Sequence, residues 1–348
     1  MRKNTKNFYY GKIGIGSDFP ISVQSMTNTD TRDIELTVNQ IKELEKIGCD
    51  IVRLAVPDME AARAIKQIKE QVQIPIIADI HFDYKLALES IKGGIDGLRI
   101  NPGNIGDDQR VREVVKACKE QDIPIRIGVN SGSIKKEYLK RYNGVNVDSM
   151  VESAMEHVRI LEEMDFHKII ISVKSTDIDM TIKSYEKLSE MVNYPLHIGI
   201  TESGSLWKGT IKSAIGIGSL LYKGIGDTIR VSLTGSPIEE VKVGKQILRS
   251  LGLLNDKIEV ISCPTCGRTR INLEKIVEEV ESRIDNLNKP IKVAIMGCEV
   301  NGPGEAREAD IGIAGGNGLG LIFKKGKIVK KVQEEQLIDE LIKEINKL

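Results

Sequence analysis

Three cysteines in the last quarter of the chain have the type and spacing of a soft-metal site. Cys263-Pro264-Thr265-Cys266 is a Cys-x-x-Cys, and Cys298 follows about a strand and a helix later. The chain holds five cysteines, an odd number that argues against a disulfide framework. None of its four histidines lies near the three cysteines in sequence, which weakens the mixed Cys/His zinc patterns. Cys118 continues the apolar series Val111, Val114, Val115 at helical spacing and reads as core, while Cys49 opens a strand away from the other thiols. On spacing alone, three thiolates suit zinc or an iron-sulfur cluster equally. Radical chemistry with S-adenosylmethionine is disfavoured, because the chain has no Cys-x-x-x-Cys-x-x-Cys. The fourth position falls to another residue, to water or to substrate. The glycine-rich turn Asn301-Gly302-Pro303-Gly304 presents Glu305. A carboxylate is a hard, weak ligand beside three thiolates, and it would leave one iron exchangeable, as chemistry on a substrate oxygen requires.

A second set of candidates lies inside short β-branched runs. Leu98-Arg99-Ile100-Asn101, Ile125-Arg126-Ile127-Gly128-Val129-Asn130 and Ile229-Arg230-Val231-Ser232-Leu233 alternate apolar with polar or glycine residues. Period two places each set on one face of a strand. If the apolar set packs on helices, Arg99, Asn101, Arg126, Asn130, Arg230 and Ser232 point inward, with Arg53, Asp79, His81, Ser172, Lys174, Thr201 and Glu202 similarly placed near strand C-termini. Arg53, Arg99, Arg126, Lys174 and Arg230 are cations, opposed at that depth only by Asp79 and Glu202. Buried charge is costly unless paired or ligand-bound. The surplus therefore predicts a multiply charged anion, and the planar fork of arginine suits phosphate oxygens. His81 could donate to a ligand oxygen or shuttle a proton, whereas His197, at a strand start, is expected at the opposite end. Asn101-Pro102-Gly103-Asn104 is a turn that could offer backbone amides to the same ligand.

The elements that must position these groups recur along the chain. Apolar runs at 21–26, 49–56, 74–80, 97–103, 123–130, 168–175, 196–202 and 227–233 alternate with amphipathic segments, and most intervals match one βαβ unit. Eight such units predict a (β/α)8 TIM barrel over 1–254, with the functional face at the strand C-termini. The long interval after the fifth strand carries a basic, tyrosine-containing insertion within 131–150, either a lid or a solvated extra helix. Tyr9-Tyr10-Gly11-Lys12-Ile13-Gly14-Ile15-Gly16 reads as a hairpin plugging the barrel bottom, and its Gly-x-Gly is weak evidence of nucleotide binding, since no strand is expected before it and no helix after it. From 255 to 348 a new order begins: strand 258–262, helix 273–286, strand 291–296, short strands and a final helix over 333–348. This predicts a small α+β domain carrying the three cysteines.

Fifty basic residues balance fifty acidic ones, which leaves no general attraction to nucleic acid or an anionic membrane. No apolar stretch reaches membrane-spanning length and the N-terminus lacks a signal-peptide pattern, so a cytoplasmic protein is expected.

The motifs Val23-Gln24-Ser25-Met26-Thr27, Ala78-Asp79-Ile80-His81-Phe82, Arg99-Ile100-Asn101-Pro102-Gly103-Asn104-Ile105-Gly106, Cys263-Pro264-Thr265-Cys266-Gly267-Arg268 and Gly297-Cys298-Glu299-Val300-Asn301-Gly302-Pro303-Gly304-Glu305 run across nearly the whole chain. Together they resemble the bacterial hydroxymethylbutenyl diphosphate synthases of the non-mevalonate isoprenoid pathway. The resemblance implies a [4Fe-4S] cluster on Cys263, Cys266, Cys298 and Glu305. It also implies reductive ring opening and dehydroxylation of 2-C-methyl-D-erythritol 2,4-cyclodiphosphate to 4-hydroxy-3-methylbut-2-enyl diphosphate. Two electrons would come from flavodoxin or ferredoxin, and the substrate oxygen would replace Glu305 at the unique iron. Glu305, Glu202 and His81 are then the candidate catalytic groups, and the inward polar residues bind the diphosphate. Members of this short form are similar in being homodimers in which the cluster domain of one subunit covers the barrel of the other. The rival reading is a zinc-dependent barrel hydrolase of a phosphorylated small molecule.

Overall fold

The computed structural model describes residues 2–100, 105, 108–298, 306–316 and 318–348. It divides into two compact units, Met1–Leu254 and Asn255–Leu348.

The first unit opens with a hairpin, β1 (Phe8–Tyr10) and β2 (Ile13–Ile15), followed by a repeat of strands and helices: β3 (Ser22–Met26), α1 (Ile34–Lys46), β4 (Ile51–Ala55), α2 (Met59–Lys69), β5 (Ile76–Asp79), α3 (Tyr84–Lys92), β6 (Gly97–Ile100), α4 (Asp108–Glu120) and β7 (Ile125–Asn130). Two helices then intervene, α5 (Lys136–Arg141) and α6 (Val147–Glu163), before β8 (Ile169–Lys174), α7 (Ile178–Met191), β9 (His197–Ile198), α8 (Leu206–Tyr222), β10 (Thr228–Ile229) and α9 (Pro237–Ser250). The sheet order β8-β7-β6-β5-β4-β3-β10-β9 is parallel throughout. A parallel bridge from Ile171 to Leu196 joins its two ends, so the sheet closes as a TIM barrel. Every barrel strand begins within one of the apolar runs.

Local chemistry starts the helices where the loops end. Asp33, Asp58, Asp83 and Asp177 each accept a backbone N–H of the first turn they cap, and Pro237 opens α9 behind Ser236. An N-cap aspartate satisfies an otherwise orphaned donor and complements the helix dipole. The helices bury one stripe each, such as Val38, Ile41 and Leu44 of α1, against the outward aliphatic residues of the strands. Cys49 and Cys118 lie in that layer, as expected for structural thiols.

The hairpin plugs the barrel from below, since Phe8, Tyr10 and Ile15 pack on the inward Ile51, Ile77 and Ile170. Gly97 makes the plug possible, because a Cβ there would stand 2.3 Å from the Tyr10 ring. The insertion after β7 is docked, with Ile134 and Tyr138 buried in the helix layer and Lys135 paired to Glu156 at 2.8 Å.

In the second unit, β11 (Glu259–Ser262), α10 (Leu273–Ile284), β12 (Lys292–Met296), β13 (Ile311–Ala314), β14 (Leu319–Lys324), β15 (Lys327–Gln333) and α11 (Leu337–Asn346) form a five-stranded sheet in sequential order. The first three strands are parallel and the last two antiparallel. Both helices cover one face, where Val280 and Leu341 meet Val293, Ile295, Ile313 and Ile322. The final helix starts later than the sequence suggested. Gln333 is held in the β-ladder opposite Leu319, and a 3-10 turn at Glu334–Gln336 intervenes before Leu337, Leu341 and Ile345 can face the sheet.

Candidate functional site: a cationic barrel interior and a cysteine edge

Register fixes which strand residues share the barrel interior. Arg53 pairs with Met26 and Ile77, Asp79 with Arg99, Arg99 with Arg126, Gly128 with Ser172, and Asn130 with Lys174. The alternation in the sequence thus converges five cations on one axis. Arg99, Arg126 and Lys174 are buried, and Arg53 and Arg230 are nearly so. Two inward glycines give the long side chains room. A Cβ on Gly128 would stand 2.7 Å from the Arg99 Nε, and one on Gly199 would stand 2.7 Å from the Lys174 Nζ.

Asp79 is the inward carboxylate at the centre of the set. Its Oδ1 accepts from Arg99 Nη1 at 3.0 Å, and its Oδ2 lies 3.5 Å from Arg53 Nε. Burial opposes its charge, but Arg53, nearby His81 and Arg99 outweigh that and hold the carboxyl well below the usual range. His81 Nε2 stands 3.7 Å from Asp79 Oδ1, the oxygen that accepts from Arg99, with over half of its side chain exposed at the mouth. Met26 lies between two arginines: its Sδ is 3.0 Å from Arg53 Nη2 and 3.7 Å from Arg230 Nη1. A thioether is a weak acceptor, so these guanidiniums keep most of their donor capacity for a stronger one. Arg126 donates to Gln24 Oε1 at 2.5 Å, while its Nε and Nη2 are buried without a partner. Burial brings its pKa down to about 10. Lys174 is pulled well below the ordinary lysine value, first by burial and then by Arg230, Arg126 and Arg53.

Two expectations need correction. His197 is not remote from the cations, for its ring turns inward and its Nε2 lies 3.4 Å from Lys174 Nζ, with Nδ1 2.7 Å from Thr228 Oγ1. Burial and the surrounding cations keep that ring neutral. The balancing carboxylates also differ. Glu202 is exposed on the rim with a left-handed backbone, φ +52°, whereas the buried counter-charge is Glu240 on α9, which holds Arg230 through both oxygens at 3.2 Å. The surplus survives: five cations face two buried carboxylates, Asp79 and Glu240. Ser172 is buried, and Asn130, Thr201 and Ser232 are half-buried beside the cations' strand ends. Asn101 lies outside the described residues.

Gln24 could have been found from the sequence, since Ser22-Val23-Gln24-Ser25-Met26 puts Gln24 and Met26 on one face. Glu240 carries no such signal, because a charge in the first turn of a helix is ordinary until a tertiary contact buries it.

In the second unit, parallel pairing of β11 with β12 brings Cys263 beside the end of β12, and the Gly297 N–H donates to its sulfur at 3.2 Å. Cys298 is buried immediately beyond, and Cys266 is exposed on the following loop, where its backbone is tied to Thr269. Backbone N–H donation from Arg268 lowers the Cys266 thiol pKa, which favours a thiolate. An amide aimed at sulfur and a stabilised thiolate fit a soft-metal site. Among the described residues, no three His, Cys, Asp or Glu side chains already stand together as a metal cage, and Glu305 lies outside those residues.

Residues 5–245 match the GcpE TIM-barrel domain and residues 259–347 match the GcpE protein C-terminal domain. The chain belongs to the GcpE family. A relative from Clostridium perfringens is 63% identical over 98% of this chain and 98% of its own length. Another, from Clostridium acetobutylicum, is 60% identical over the full length of both. Each of these GcpE relatives bears the name 4-hydroxy-3-methylbut-2-en-1-yl diphosphate synthase (flavodoxin). Among solved structures, dihydropteroate synthase from Stenotrophomonas maltophilia aligns with a TM-score of 0.50 at 12% identity, over 71% of this chain and 98% of that one. The 3-dehydroquinate dehydratase of Geobacillus kaustophilus aligns with a TM-score of 0.50 at 15% identity, over 72% and 99%. These share the barrel fold alone. No described helix is long and apolar enough to cross a membrane.

Proposed function

We propose that this GcpE-family protein is a 4-hydroxy-3-methylbut-2-en-1-yl diphosphate synthase that takes its electrons from flavodoxin. It opens 2-C-methyl-D-erythritol 2,4-cyclodiphosphate and removes a hydroxyl. The substrate gains two electrons and one proton, one C–O bond to phosphate and one to the hydroxyl break, and water leaves. The observation that carries the reading is the interior surplus of cations over carboxylates, in a chain whose full-length relatives bear that name.

Opening the ring leaves the departing oxygen on phosphorus, so the diphosphate becomes more negative as the bond breaks. Arg53, Arg99, Arg126, Lys174 and Arg230 are positioned before the substrate arrives, and they favour the state in which that charge has grown. Asn130, Ser172, Thr201 and Ser232 offer neutral partners to the remaining oxygens. His81 and Glu202, exposed at the strand C-termini, are placed to move protons at the mouth. A [4Fe-4S] cluster on Cys263, Cys266, Cys298 and Glu305 would supply the electrons one at a time when bound. A zinc hydrolase finds no support in the relatives' name. The cluster-bearing unit of one subunit of a homodimer is proposed to close over the barrel of its partner.

Anaerobically isolated protein should be brown and should form the linear diphosphate from the cyclic one with reduced flavodoxin. A colourless, zinc-loaded protein without this activity would overturn the reading. Mixing Arg126→Met protein with Cys298→Ala protein, each inactive, should restore turnover if subunits share a site.

A further inference from the structure

We infer that Glu240 is a positioning residue for the anion site, acting through Arg230. The inference rests on the anion-site reading above and concerns a residue that reaches the barrel from outside its strands. Glu240 lies in the first turn of α9 and is 4% exposed. Its two oxygens take four hydrogen bonds from three directions. Oε2 accepts from Arg230 Nε at 3.2 Å and from Ser25 Oγ at 3.1 Å, and Oε1 accepts from Arg230 Nη2 at 3.2 Å and from the Leu233 N–H at 3.1 Å.

This geometry does more than neutralise a charge. Ser25 belongs to β3 and faces away from the barrel axis, so it ties the carboxylate to a neighbouring strand. Leu233 belongs to the loop after β10, whose ladder ends at Ile229. Arg230 stands just past the end of β10, its backbone N–H still donating to the Ile198 carbonyl at 3.0 Å on the β9 side, while the ladder with β3 ends at Ile229. Two parallel N–H···O bonds define the plane of a guanidinium as well as its place. With Nε and Nη2 committed to Glu240, Nη1 is left on the opposite side, 3.7 Å from Met26 Sδ, an acceptor that a phosphate oxygen outcompetes. Arg53, which contacts the same sulfur, is the neighbouring cation. Glu240 thus sets which edge of Arg230 faces the ligand and how far Arg230 is held from Arg53.

The test separates this role from simple charge balance, because the two have opposite signs. Removing a negative charge beside an anion site strengthens anion binding if only the field matters. It weakens binding if Arg230 loses its orientation. In the anaerobic holoenzyme, Glu240→Gln is expected to raise KM for the cyclic diphosphate about tenfold, as misaligning one charge-assisted hydrogen bond would, with kcat changed less. The same substitution should weaken binding of inorganic diphosphate, a probe that needs no turnover. In an Arg230→Met background, where there is no guanidinium left to orient, Glu240→Gln should no longer weaken binding. Should Glu240→Gln not accumulate as folded protein, Glu240→Asp carries the same test, with the charge kept and the reach shortened. Unchanged or tighter binding of both ligands, or losses that simply add to those of Arg230→Met, would overturn the role. Wild-type protein that binds inorganic diphosphate without turning over the cyclic substrate would instead refute the proposed reaction and leave the binding comparison to decide on Glu240.

Discussion

The barrel interior and the cysteine edge solve the problem of holding reactive groups in opposite ways. In the barrel, each cation projects from or next to a strand whose register is fixed on both sides, and glycines at 128 and 199 clear the space it needs. At the cysteine edge, Cys263 is fastened to the sheet through the end of β11 and the Gly297 N–H and Cys298 is buried just past β12, while Cys266 sits on an exposed loop. The barrel gathers its cations through strand register, and the cysteine edge fixes the Cys263 sulfur through a single backbone N–H.

If that contrast holds, the two regions can be damaged separately. The largest effect is expected from Cys298→Ala, which should abolish turnover and bound iron while leaving inorganic diphosphate binding at its wild-type value, read by metal analysis and calorimetry. Loss of diphosphate binding in that variant would mean that the barrel is not independent. Next, Arg99→Ala should weaken binding of the cyclic diphosphate by a factor on the order of tens or more, since a charge-assisted hydrogen bond contributes roughly 1.5 to 3 kcal/mol. Its iron content should stay unchanged. Gly128→Ala probes the same guanidinium without touching it. The new methyl meets Arg99 Nε, so KM should rise several-fold while the melting temperature moves little; an unchanged KM would show that Arg99 relaxes freely. The smallest effect is expected from Tyr10→Phe at the barrel bottom. That hydroxyl is buried without a partner, so removing it should be neutral or stabilising by about 1 kcal/mol in denaturant unfolding, with KM unchanged.

The parts of the molecule that were legible in sequence are those governed by period. Eight strands of a parallel barrel announce themselves as recurrent apolar runs, and inward Arg99, Arg126 and Arg230 break those runs at every second residue. The hairpin read from Tyr9 to Gly16 is present as β1 and β2, although a strand, β1, does precede its glycines. Period failed where a contact comes from another element. Glu240 occupies an ordinary acidic position in a helical first turn, and only the packing of α9 on β3 and β10 buries it. His197 sits at a strand start, as expected, but its ring turns toward the cations, with Thr228 and Lys174 on its two nitrogens. The final helix was placed too early because Gln333 pairs with Leu319 of β14 and Glu334–Gln336 form a 3-10 turn before Leu337.

The central claim is that three thiolates and one weak ligand hold a redox cluster that serves an anion bound in the barrel. Iron and acid-labile sulfide counted per chain on anaerobically prepared protein test it most directly. The expected result is about four of each, the content of one [4Fe-4S] cluster, with the visible spectrum changing when the cyclic diphosphate is added. A colourless protein with one zinc per chain and no response to that ligand would contradict it.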